Sequence, residues 1–215
     1  KQASGTTLNV AFNQHPYADA IIQRLPQFKE LTGIDVKHEL TPEENYFDKV
    51  TTQLSAGTGV PDVFMTGAYQ MWDYASAKRI EPLDDLLNDP SATSPDYNPK
   101  DIFEGVFNAG KWDLKPGSPP GTGKLWCLPL GFEMYCLTYN KKYFEEKGLK
   151  VPTTLDELSE LAVKLKDWNG PGSYGVAVRG TRNWATIHPG YMSSFVSAGA
   201  KDFVVEGGKL MSALG

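Results

Sequence analysis

An α/β fold with a mainly parallel sheet is what the first third of this 215-residue sequence predicts, on three observations. Two segments, Thr7–Asn13 and Ile34–Leu40, alternate apolar and polar residues at the period of a strand. The stretches that follow each of them carry apolar residues at helical spacing instead. A third segment, Pro61–Gly67, is a short continuous apolar run, as suits a strand covered on both faces. The order strand, helix, strand, helix, strand calls for right-handed crossovers between parallel neighbours. Ligands of such sheets bind at the carboxyl ends of the strands, here Asn13–His15 and Thr66–Trp72.

Each element has a local reason. Leu8, Val10 and Phe12 share one face of the first strand, and Ile21, Ile22, Leu25, Phe28 and Leu31 form a helical stripe that ends at Gly33. Pro26 should kink or shorten that helix. Thr41, Pro42 and Glu44 supply a cap, a first-turn proline and a capping-box carboxylate for a helix running to about Ser55, which should bury Phe47, Val50 and Leu54. Three prolines make Asn88–Lys100 a surface loop, and Asp101–Glu104 caps a short helix after it. The Gly123-Lys124 pair is not a phosphate loop, because Ser118 stands at the position of the first glycine and Leu125 at that of the metal-binding hydroxyl.

From Leu125 to Gly148 two apolar runs flank Pro129, Gly131 and a lone carboxylate, Glu133. Thr154–Glu157 is a capping box opening a helix whose stripe is Leu155, Leu158, Leu161, Leu165 and Trp168. Tyr174–Gly180 reads as a strand, Ala185–Ala200 contains a helix that starts after Pro189, and Lys201–Gly215 reads as the first half of a hairpin without its partner.

Composition narrows the function. Hydrophobic residues make up 40% and charged ones 22%, mean hydropathy is -0.37, and no apolar run approaches the roughly 20 residues of a membrane span. A net charge of -5 with scattered cations argues against nucleic acid as the partner. The polar start without an initiator Met suits an exported chain after signal removal, or a trimmed one. The 3 His are too far apart for a metal site, and Cys127 and Cys136 lie about 30 Å apart in an extended run, so two free, buried thiols are expected. No cofactor is called for.

Three motifs carry a resemblance: Phe28–Glu39 (FKELTGIDVKHE), Thr51–Gly67 (TTQLSAGTGVPDVFMTG) and Glu133–Leu158 (EMYCLTYNKKYFEEKGLKVPTTLDEL). In this order, over nearly the whole chain, they resemble the extracellular solute-binding proteins of ABC importers, in the sugar-binding group that includes maltose-binding protein. The resemblance implies a type II periplasmic-binding-protein-like fold, two α/β lobes with mainly parallel sheets joined by a hinge, with ligand held in the cleft between them. Lobe one would be residues 1–131 and the first part of lobe two residues 132–215, the second lobe being incomplete because family members are about twice this length. Leu125–Leu130 would finish lobe one, Gly131–Glu133 would bend, and Met134–Asn140 would open lobe two as a strand.

The same resemblance implies the site. Glu133, seven residues before Asn140, would be a cleft carboxylate that accepts from two sugar hydroxyls at once, although a solvated loop glutamate would look the same in sequence. Asn13, Gln14 and His15 end the first strand, where turn residues also belong. Thr66, Tyr69, Gln70 and Trp72 follow the third strand, Trp72 either stacking on a pyranose or packing inward. Tyr135 follows Glu133, and Arg179, Arg182, Trp184, His188 and Tyr191 would be the contacts of lobe two. The implied function is non-enzymatic: a monomer outside the cytoplasm, in the periplasm or lipid-anchored, captures a sugar, oligosaccharide or polyol and hands it to an ABC permease with its ATPase. A receptor for amino acids or polyamines would want more fixed charge, and a glycoside hydrolase a second carboxylate near Glu133.

Overall fold

The structure, a computed structural model, describes residues 3–178, 180 and 194–213, which divide between two units, Lys1–Glu133 and Met134–Gly215. In the first unit the alternating strand β1 (Thr7–Asn13) is central, between β2 (Asp35–Thr41) and β3 (Val63–Phe64). All three are parallel: β1 matches β2 from Thr7↔Asp35 to Asn13↔Thr41, and matches β3 at Val10↔Val63 and Ala11↔Phe64. β3 is shorter than the apolar run that predicts it, and Val63 is 52% exposed, so it is not covered on both faces. It pairs with β1 alone among the described residues, and Pro61 at its start has no N–H to offer a ladder. Asp62 instead fastens this end through its carboxylate, which accepts from the backbone N–H and the side-chain amide of Asn9.

The helices follow their signals with instructive exceptions. Pro26 divides the expected single helix into α1 (Pro16–Ile22) and α2 (Leu25–Thr32), because proline fits the first turn of α2, where its missing N–H has no partner anyway. Gly33 closes α2 in the left-handed conformation, φ 79°. α3 (Glu43–Ser55) is capped at Pro42 and not at Thr41, since Thr41 is still the last paired residue of β2. α4 (Ala68–Ser76) and α5 (Asp84–Asn88) follow β3, and α6 (Glu104–Asn108) starts from Phe103, the expected Asp101 cap lying in a separate 3-10 turn at Pro99–Asp101. β4 (Lys111–Trp112) and β5 (Lys124–Leu125) make a short antiparallel pair.

The core of this unit has two centres. Tyr46 and Val50 of α3 pack with Ala11 and Tyr74, while Phe47 and Leu54 are only partly buried against them. Met71 and Ala75 of α4 pack with Trp126, whose indole N–H donates to Trp112 O at 2.9 Å. The Tyr46 hydroxyl shares its one proton between Ala11 O at 2.9 Å and Met65 O at 2.8 Å, joining the carboxyl ends of β1 and β3.

In the second unit, α7 (Lys141–Lys147) is capped by Asn140, whose side chain accepts from Tyr143 N at 3.1 Å. α8 (Leu155–Lys164) is capped by Thr154, with Glu157 reaching back to Thr153 N at 2.7 Å. Two expected strands are not formed: Met134–Asn140 is exposed and irregular, and the described residues 174–178 are irregular too. A strand persists only when its backbone groups meet a neighbour, and none pairs with these segments among the described residues. The lone hairpin strand does find its partner: β6 (Phe203–Glu206) pairs with β7 (Lys209–Ser212), because Gly207 and Gly208, φ 56° and 76°, suit the two-residue turn that needs positive φ twice. Both thiols are free, but Cys136 is exposed, contrary to expectation, while Cys127 is partly buried.

Burial pushes the Tyr46 phenol well above the usual tyrosine range. A raised value in the folded state means that the stability of this neutral, buried group is whole below about pH 10 and is lost as the pH climbs toward the folded value. Tyr46→Phe should therefore cost about 1–3 kcal/mol in urea unfolding at pH 7 and should weaken the alkaline fall in stability. Equal unfolding midpoints for the two proteins would show that the hydroxyl bridge contributes nothing.

Candidate functional site

The carboxyl end of β1 is where a polar residue, Asn13, enters the interior, while Gln14 is exposed. Asn13 is 7% exposed, and its side-chain oxygen has no hydrogen-bond partner among the described residues. One residue later, Gln14 N donates to Thr41 O at 2.9 Å, which keeps the chain against the end of β2 before it turns into α1. His15 caps that helix: its Nδ1 accepts from Tyr17 N at 3.3 Å. With Nδ1 an acceptor, the ring proton sits on Nε2, which donates to Glu133 Oε1 at 3.1 Å. Two groups 118 positions apart in sequence thus meet at one strand end.

Aromatic residues hold that meeting in place. The Tyr17 ring lies 4.6 Å from the His15 ring, and its hydroxyl donates to Phe132 O at 3.1 Å. Gly131 is required by this approach, since a Cβ there would lie 2.6 Å from the Tyr17 ring. Phe103 meets Phe132 edge to face at 6.1 Å and is 75% exposed. Tyr17, Phe103 and Phe132 are missing from the sequence-based site. The signal that could find two of them is an aromatic beside a candidate polar group, Tyr17 two residues after His15 and Phe132 next to Glu133; Phe103 carries no such signal.

The turn from β3 into α4 supplies a second set. Met65 N donates to Ala11 O at 3.1 Å, so the chain leaves β3 alongside the end of β1. Thr66 is half-buried and Gly67 caps α4, where a Cβ would lie 2.7 Å from Gln70 Oε1. That Gln70 oxygen and the Trp72 indole N–H are buried without partners among the described residues. Trp72 leans on Trp112 at 6.4 Å and packs against the Met71, Ala75 and Trp126 cluster, yet with Tyr69, Gln70, Asp73 and Ser76 it also lines an open depression of about 390 Å³.

Chemically, this end of the unit offers the exposed carboxylates of Glu133 and Asp73, the Asn13 and Gln70 amide oxygens and the Trp72 indole N–H, these three without partners among the described residues, and exposed aromatic faces. A buried polar group left unpaired costs about 1–3 kcal/mol, which water or ligand hydroxyls would offset. No group of three or more His, Cys, Asp or Glu among the described residues could hold a metal ion. Tyr135 belongs to the second unit and is 60% exposed. Arg179, Arg182, Trp184, His188 and Tyr191 lie outside the described residues.

Gly131→Ala should push the Tyr17 ring aside and break its bond to Phe132 O, costing about 0.5–1.5 kcal/mol in urea unfolding. Tyr17→Phe should add little in that background, because both changes remove one interaction. Fully additive losses would mean that Gly131 and Tyr17 are not coupled.

The family described as bacterial extracellular solute-binding protein matches residues 12–212. The erythritol/L-threitol-binding protein of Mycolicibacterium smegmatis is 43% identical over 213 residues, 99% of this chain and 44% of that one. An ABC transporter solute-binding protein from Agrobacterium radiobacter, solved in complex with ribitol, superposes with a TM-score of 0.63 at 23% identity, over 78% of this chain and 39% of that one. Another from Agrobacterium vitis, with bound D-mannitol, gives 0.58 at 26% identity, over 77% and 37%. The chain spans less than half the length of each of these proteins.

Proposed function

The chain belongs to the bacterial extracellular solute-binding protein family, with its α/β, type II periplasmic-binding-protein fold, and we propose that it captures an acyclic polyol or small sugar for an ABC importer. One observation carries the reading: a buried Asn13 amide oxygen, without a partner among the described residues, stands two residues before the His15–Glu133 pair, at the carboxyl end of a parallel sheet. Each carbon of a polyol bears a hydroxyl that both donates and accepts, so one chain of such groups can satisfy the Asn13 and Gln70 oxygens, the Trp72 N–H and the Glu133 carboxylate. The relative named for erythritol and L-threitol, and the solved structures with ribitol and D-mannitol, support polyols over longer oligosaccharides.

In this reading Asn13, Gln14, Thr66, Tyr69, Gln70, Trp72 and Glu133 face the solute, and Tyr17, Phe103 and Phe132 offer apolar surface to its C–H groups. Residues 1–131 are lobe one and 132–215 the start of lobe two. The protein works outside the cytoplasm as a monomer, catalyses nothing, and delivers its solute to the transmembrane subunits of a permease. No helix among the described residues is long and apolar enough to cross a membrane.

A thermal-shift panel on the full-length protein tests the reading, since a ligand at a hundred times its Kd adds about 2.7 kcal/mol of stability. Erythritol, L-threitol, ribitol or D-mannitol should raise the midpoint, and amino acids and polyamines should not; the reverse pattern would overturn the assignment. Glu133→Ala should weaken polyol binding about 10- to 100-fold by calorimetry, as expected for lost bonds to a charged acceptor. Unchanged affinity would remove Glu133 from the site.

A further inference from the structure

His15 has no polar group left for a ligand. Its Nδ1 accepts from Tyr17 N, its Nε2 donates to Glu133 Oε1, and the Tyr17 ring lies 4.6 Å from its own. Only the neutral tautomer protonated on Nε2 makes both hydrogen bonds, because a proton on Nδ1 would face the N–H of Tyr17. Glu133, by contrast, has a side chain 66% exposed and spends one of its two oxygens on His15. Without that bond it is a loop carboxylate free to change rotamer, and ligand binding would have to immobilise it.

We propose that His15 is a positioning residue and not a ligand contact: it fixes Glu133 through Oε1, so that Oε2 is presented to solute hydroxyls. The inference rests on the reading of Glu133 as a solute acceptor, and it assigns His15 a role different from the direct contact expected from sequence. It also gives the N-cap a second task. The same imidazole that closes the start of α1 transmits that fixed geometry to a carboxylate on the segment pressed against Tyr17.

Two substitutions separate these tasks. Asparagine is among the best N-caps but is too short to reach Glu133, whereas glutamine can offer its amide N–H to Glu133 and caps poorly. In the full-length protein, His15→Asn should leave the unfolding midpoint close to the parent while weakening binding about 2- to 10-fold, read with whichever of erythritol, L-threitol, ribitol and D-mannitol gives the largest thermal shift. His15→Gln should recover most of that affinity while lowering the midpoint. In a Glu133→Ala background His15→Asn should change affinity no further, and nitrogen NMR of the ligand-free protein at neutral pH should show the Nε2–H tautomer.

A further loss of affinity in the Glu133→Ala background would make His15 a direct contact and overturn the proposal. So would His15→Asn binding as the parent does while Glu133→Ala binds weakly, or an Nδ1–H tautomer in the NMR spectrum. Failure of the underlying reading looks different: Glu133→Ala itself would leave affinity unchanged, or none of the four polyols would bind.

Discussion

A single buried hydroxyl organises the first unit. Tyr46 reaches from α3 between two strand ends and shares its one hydroxyl proton between Ala11 O and Met65 O, so the carboxyl ends of β1 and β3 keep a set separation. Every candidate polar group of the β1 end, and those of the turn into α4, is measured from these two carbonyls: Asn13 lies two residues beyond one, and Thr66 directly follows the other. The bond is effective because it is dry. Tyr46 is 1% exposed, and a hydroxyl in such surroundings has no water to exchange with. The ring above it, packed with Val50, Ala11 and Tyr74, makes the same residue part of the apolar core.

The polar groups around that end fall into two kinds. Some are spent on structure: Tyr17 on Phe132 O, and His15 on both Tyr17 N and Glu133. Others are buried and left over, the Asn13 and Gln70 oxygens and the Trp72 N–H. Groups of the first kind hold the backbone still, and each buried group of the second kind costs about 1–3 kcal/mol while it is unpaired. Of the aromatic residues nearby, Trp72 leans on Trp112, and Phe103 and Phe132 are more open.

Among the described residues, the second unit forms its helices but not two of its expected strands, for a reason of bonding range. Helix hydrogen bonds close within four residues, and the caps at Asn140 and Thr154 are equally local, so α7 and α8 need no distant partner to satisfy their backbone. The hairpin β6–β7 is also local, closed by two glycines. Met134–Asn140 and residues 174–178 carry strand patterns but would need neighbours brought from elsewhere in a sheet.

Sequence periodicity and turn chemistry determined β1, β2, the stop at Gly33 and the caps at Asn140 and Thr154, since each rests on interactions only a few residues long. The motif resemblance likewise pointed at Asn13 and Glu133 by position. Tertiary structure alone decided that Thr41 stays in the sheet and yields its cap, that β3 is an exposed edge, and that Trp72 is divided between core and surface. It alone joined His15 to Glu133 and set Tyr17 and Phe132 around them. Hydrogen-bond partners more than a hundred residues apart leave no periodic trace in a sequence; they are chosen by which strand ends and crossing segments the packing brings together.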